Sequence, residues 1–187
     1  MTHRSSLDAV FRGLLSVLVM LWAVTAQAAP QTRDPMTHFF HQGFGDLPDE
    51  LATARTEGKL GLLVMFDNAE CPWCQKMKAT VFNQVRVQDY YRKYFRIVAI
   101  DTEGDAPMVD FSGKEMAQKD FAFKHNRVRA TPVFIFFDLD GKKLVRYTGA
   151  TRNAEEFLWL GEFVVEGHYR SKRFTAFKRE KLAASRR

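Results

Sequence analysis

"LGLLVMFDNAECPWCQKM", residues 60–77, contains an unbroken apolar run, a short polar turn and the only two cysteines of a 187-residue chain. The run at residues 60–66 shows none of the alternation of a half-exposed strand. It reads as a strand buried on both faces, at the centre of a sheet. Cys71 follows after a short loop, and Pro72 suits the first position of a helix, where no backbone donor is needed.

Cys71 then becomes the helix cap and Cys74 the third helical residue. Side chains three apart on a helix lie about 5–6 Å apart, within the span that a disulfide needs. A sulfur at a helix N-terminus faces unpaired N–H groups and the positive end of the peptide dipole, and both favour thiolate over thiol. In Cys-X-X-Cys proteins such thiols titrate between about 3.5 and 7. Cys71 is expected to be the exposed nucleophile, and Cys74, one turn in, the buried resolving thiol. Other uses of the pair meet obstacles. Covalent haem attachment needs a histidine after the second cysteine, and Gln75 is there instead. Tetrahedral zinc needs two further ligands, and His38, His41, His125 and His168 show no such spacing. A staple closing four residues constrains the unfolded chain far less than a bridge over a long loop. A redox dithiol leads, with a structural disulfide and a metal site as alternatives.

Upstream, Arg4 and Arg12 form a basic n-region ahead of a 13-residue apolar run at residues 14–26, and Ala26-Gln27-Ala28 offers a cleavage site. The run is short for a spanning helix, so residues 1–28 read as a secretory signal peptide, with an uncleaved anchor as the alternative. Either sends the chain to an exported, disulfide-permissive compartment. The remaining 159 residues are enough for one domain with a real core. The net charge of +6 is unevenly placed: residues 170–187 hold eight basic residues and one acid, while residues 29–169 hold 18 basic and 20 acidic. The body has no basic face, which excludes a nucleic-acid binder of the usual kind.

Residues 29–46 read as a polar, partly ordered lead-in. A helix starts at Leu47, with Pro48, Asp49 and Glu50 in its first turn and Gly58 as its stop. Helical segments are predicted over residues 72–82 and 85–94, a strand over 95–101, a loop over 102–113 and a helix over 114–125. Residues 132–138 and 143–148 read as strands joined by an Asp140-Gly141 hairpin turn. Asn153 with Glu156 opens a last helix that reaches about residue 167.

This order, with Cys-Pro-Trp-Cys after the first strand, Ala130-Thr131-Pro132 before the third, and Gly149-Ala150 after the last, resembles a thioredoxin fold over residues 47–167. The resemblance implies an α/β domain at residues 47–168, a central mixed sheet of about four to five strands flanked by helices, and a basic C-terminal helical extension at 169–187. It also implies a cis bond at Thr131-Pro132 and a groove in which Pro72, Trp73, Thr131 and Pro132 meet an extended client peptide by strand addition. The implied activity is protein thiol–disulfide exchange through Cys71 and Cys74. The implied cofactor is none beyond that disulfide, with no metal. The implied partners are client proteins with disulfides or thiols and a membrane-bound redox partner. Within the family the chain looks most similar to secreted bacterial SoxW-like thioredoxins, which share the signal peptide, the proline after the first cysteine and an acidic loop ending like Asp110-Phe111-Ser112-Gly113-Lys114. That places it in the periplasm.

The chain departs from the family's pattern at a buried acid six residues before the first cysteine, here Met65, and at the lysine that pairs with it, here Ile97. Losing both is coherent, since losing one would strand a buried charge. Glu70, beside Cys71, is the candidate for proton transfer or pKa tuning, with a merely solvated acid as the alternative. Trp73 is offered as an aromatic anchor for a partner, or as a shield over the sulfurs. The tail places Phe174, Phe177 and Leu182 on one helical face among basic residues. It suits either a helix docked on the body or contact with anionic lipid or an acidic partner.

Overall fold

Gly61–Asp67 forms β1, buried along its whole length, and the rest of the domain is built around it. The computed structural model describes residues 31–43 and 45–186; the expected signal peptide lies outside them. β1 runs parallel to β2 (Phe95–Asp101), with Gly61 against Phe95 and Asp67 against Asp101. On its other edge it runs antiparallel to β5 (Val133–Asp138), with Phe66 against Val133. β5 in turn pairs antiparallel with β6 (Lys143–Thr148), giving a mixed sheet in the order β2-β1-β5-β6. A strand flanked on both edges and covered on both faces has no solvent side, which is why residues 61–66 carry no polar side chain. The β5–β6 hairpin turns through Asp140 and Gly141, where Gly141 takes φ +72°, a left-handed conformation that costs glycine nothing.

The helices are α1 (Pro35–His38), α2 (Leu47–Thr56), α3 (Pro72–Met77), α4 (Val85–Tyr94), α5 (Gln118–Asp120), α6 (Ala154–Val165) and α7 (Phe174–Ala184). Short polar side chains cap three of them: Asp34 accepts from the Thr37 amide, Asp46 from Asp49 and Asn153 from Glu156, at 3.0, 2.9 and 2.9 Å. Alternate residues of β1 feed two cores. Leu62, Val64 and Phe66 face α2 and Phe121. Leu63 and Met65 face a larger cluster with Cys71, Cys74, Phe82, Tyr91 and Phe157. On the first face, Glu50 and Arg96 form a buried ion pair at 2.6 Å that ties α2 to β2.

The lead-in expected to be only partly ordered belongs to the larger core. Phe39 and Phe40 are buried, and Phe39 stacks on Phe82 with ring centroids 4.5 Å apart and planes 2° from parallel. The loop expected at 102–113 and the helix expected at 114–125 are also corrected. Pro107–Val109 (β3) pairs antiparallel with Glu115–Ala117 (β4), and only α5 and a π-helical turn at Phe121–His125 follow. The cause is Asp110. Its Oδ1 accepts from the amides of Ser112 and Lys114, at 2.8 and 3.0 Å, and from the Ser112 hydroxyl at 2.6 Å. Such a side chain turns the backbone back on itself and brings the two flanking segments face to face. A second π-helical turn, Lys78–Phe82, joins α3 to α4.

The basic tail forms α7 and docks on the body. Phe177 is buried against Phe163 and His168, and Phe174 packs edge-on to Tyr147. Lys178 and Lys181 pair with Glu156 and Glu162 of α6. The phenylalanines that the sequence offered to a lipid surface thus face α6, while Arg173, Arg179 and Arg186 remain exposed.

Two measurements test this account. Phe39→Ala should destabilise the domain by about 3–5 kcal/mol, the usual cost of emptying a buried aromatic site, seen as a lower urea midpoint; a lead-in outside the core would leave the midpoint unchanged. His41 accepts the Ile97 amide at 2.9 Å, and burial, with Arg92 and Arg96 nearby, pushes its pKa down from 6.5 to about 4. Between these values the unfolded chain binds a proton that the folded chain refuses, so stability falls as pH drops from 6.5 toward 4. His41→Asn, which keeps an acceptor, should lose less stability than the parent between pH 7 and 4.5.

Candidate active site

Cys71 sits where β1 has ended and α3 begins. Its backbone is extended, its Sγ accepts the Cys74 amide at 3.1 Å, and Pro72 occupies the first turn. The backbone carbonyl of Cys71 accepts the first helical hydrogen bond, from Gln75. Cys71 and Cys74 form a disulfide with their Cα atoms 5.2 Å apart. The open nucleophile expected at position 71 is nearly as covered as its partner in this oxidised form: Cys71 is 5% exposed and Cys74 0%. The disulfide holds the Cys71 sulfur against the helix end. The exposed side chain of the motif is Trp73, at 56%, with Lys76 Nζ 5.2 Å from the ring centroid.

The Thr131–Pro132 peptide is cis. Because Phe66 near the end of β1 pairs with Val133 at the start of β5, this peptide and the turn before Cys71 lie at the same end of the sheet. Pro132 is buried and Thr131 half-buried, and the Gly149 amide donates to the Pro132 carbonyl at 2.8 Å. Asn68, Glu103, Phe123, Arg129 and Thr131 share the lining of a solvent-open pocket here. Phe123 is 54% exposed beneath the Arg129 guanidinium, and the Asn68 side-chain amide donates to Glu103 at 3.0 Å. The pocket was not legible in the sequence, because its wall comes from a π-helical turn distant in the chain.

Met65 and Ile97 are fully buried in the same apolar cluster as the two cysteines, so that interior holds no charge where the family's pattern has an acid and a lysine. Glu70 is exposed on the turn before Cys71 and makes no ion pair or side-chain hydrogen bond among the described residues. A different pair lies close by: Lys78 Nζ meets Asp67 Oδ2 at 2.6 Å, with both side chains largely buried. Burial raises the Asp67 pKa above the usual carboxylate value, opposed by Lys78. Sequence reading passed over both residues. The available signals were an acid closing an apolar run and a lysine four residues after Cys74. Among the described residues, no three His, Cys, Asp or Glu side chains gather to hold a metal ion.

A mixed four-stranded sheet and a dithiol that caps the helix after its central strand define the class: a thioredoxin-fold protein with a Cys-X-X-Cys disulfide. The chain belongs to the thioredoxin-like domain family, whose profile matches residues 47–165. Three solved structures share the fold. A thioredoxin-fold protein from Helicobacter pylori is 21% identical with a TM-score of 0.57, over 79% of this chain and 89% of that one. A candidate disulphide-isomerase from Bacteroides thetaiotaomicron is 25% identical with a TM-score of 0.54, over 72% and 94%. A DsbH oxidoreductase is 15% identical with a TM-score of 0.53, over 76% and 95%. No curated protein matches the chain.

Proposed function

We propose that this chain is an exported thiol–disulfide oxidoreductase, similar to the secreted SoxW-like thioredoxins, that reduces disulfides of client proteins in the periplasm. One observation carries the reading: the Cys71 sulfur caps α3 and accepts the Cys74 amide at 3.1 Å. That environment stabilises a thiolate at position 71 once the disulfide opens. The 25%-identical candidate disulphide-isomerase supports the same reaction class. The apolar run at residues 14–26 supports export.

The Cys71 thiolate attacks one sulfur of a client disulfide, forming a mixed disulfide and expelling the client's other sulfur as a thiolate, which takes a proton from solvent. Cys74 loses its proton and attacks Cys71, closing the Cys71–Cys74 bond and releasing the client's first sulfur. The client gains two electrons and two protons, and a dithiol on a membrane-bound partner restores the reduced pair. Thr131 and Pro132 seat the client backbone, and the exposed Trp73 supplies an apolar contact.

Two measurements test the proposal. A Cys74→Ser chain cannot resolve and should accumulate mixed disulfides with endogenous proteins. If none forms, and a chain with both cysteines replaced by serine still complements a deletion, the chain is a client-binding module and not an enzyme. A Cys71–Cys74 reduction potential near about −270 mV against glutathione fits a reductant; one near about −120 mV reverses the direction of electron flow.

A further inference from the structure

Cys74 is fully buried in an apolar cluster, yet it must lose a proton before it can resolve a mixed disulfide. A thiolate left alone in such surroundings is costly, and burial raises a thiol's pKa. An ion pair lies one helical turn beyond Cys74, at Lys78. Leu63 and Met65 share a cluster with both cysteines, and Asp67 is the next residue of β1 on that face, since strand side chains alternate. On the helix, positions 71, 74 and 78 are spaced by three and four and share a face. The Lys78 amide donates to the Cys74 carbonyl, and its ammonium meets Asp67 at 2.6 Å. The ion pair therefore links β1 to the face of the helix that carries the sulfurs.

We propose that Asp67 and Lys78 together manage the Cys74 proton, with Asp67 accepting it as Cys74 attacks and Lys78 holding the thiolate that results. This rests on the redox reading above. Before transfer the three groups are a carboxylate, an ammonium and a thiol. After it they are a carboxylic acid, the same ammonium and a thiolate. The cluster is neutral in both states, so Lys78 changes partner and no buried charge is left alone, the condition under which such charges are tolerated. A high proton affinity at Asp67, caused by burial, brings acceptor and thiol closer. The other charged group facing Asp67 is Asp101, its register partner on β2, which also favours the protonated acid. Glu70 lies outside on the turn.

The step balances. The S–H bond of Cys74 breaks and an O–H bond forms on Asp67. The Cys74–Cys71 bond forms as the bond from Cys71 to the client breaks, and the client sulfur leaves with the electron pair and takes a proton from solvent. Asp67 returns its proton through Lys78's side of the helix, where Arg33, Gln75, Lys78 and Asn83 line an open groove.

Mixing the reduced full-length chain with excess aromatic disulfide separates this step from the first. One coloured thiolate is released when Cys71 attacks and a second when Cys74 closes the ring. Asp67→Asn should slow the second phase relative to the first by about a hundredfold at neutral pH, the lower end for a positioned proton acceptor. Lys78→Met, which removes the cation that favours both the carboxylate and the thiolate, should move the pH midpoint of that phase upward, and Lys78→Arg should restore it. If Asp67→Asn fails to fold, the two Lys78 variants decide alone. A pair that merely clamps the helix would lower thermal stability and leave the second-phase midpoint where it is, and that result overturns the proposal. A parent chain that shows no first phase overturns the oxidoreductase reading itself. Two normal phases in the parent with unmoved variants overturn this inference only.

Discussion

β1 is hydrogen-bonded along both edges and covered on both faces, and that constraint decides where chemistry can sit. A strand of this kind can present a polar or reactive group only where it ends. Its end delivers the chain to a short turn and then to a cysteine, and Pro72 commits the next residues to a helix at once. The free N–H groups of that helix need an acceptor, and the sulfur of Cys71 is the nearest one. Strand burial, helix start and sulfur environment are thus three results of one arrangement.

The same burial limits the charges that the interior can hold. Glu50 with Arg96 and Asp67 with Lys78 are ion pairs whose members are both largely covered. Each ties a helix to a strand: α2 to β2 in the first, the α3 end to β1 in the second. Met65 and Ile97 leave the space beneath the sulfurs apolar. On the same face of β1 the covered acid is Asp67, the last residue of the strand. Because Lys78 follows directly on the helix that the cysteines open, this pair is mechanically joined to the dithiol.

Elements with a periodic or capped signature were legible in the letters. The apolar run of β1, the Asn153 cap of α6, the Gly141 turn and the Pro72 helix start each rest on contacts within a few residues. The failures share a different cause. Residues 114–117 carry helix-forming side chains, but Asp110 gathers nearby amides and hydroxyl into a turn that brings them against β3. Residues 29–46 read as a polar lead-in, yet Phe39 finds Phe82 across the fold. Both π-helical turns follow from how neighbouring segments pack, and no local spacing announces them.

The site divides in the same way. The sequence by itself determined that Cys71 and Cys74 stand one helical turn apart at a helix start, because three-residue spacing and a proline act locally. It also determined that the basic excess belongs to residues 170–187, since charge along the chain can be counted. Only the tertiary structure decided how the charges around the motif pair, placing Glu70 in solvent and Asp67 with Lys78. It alone brought Phe123 and Arg129 beside Thr131 and turned the tail's phenylalanines inward onto α6. The physical reason is that burial and electrostatic pairing depend on which segments meet across the sheet. Distances along the chain do not carry that information.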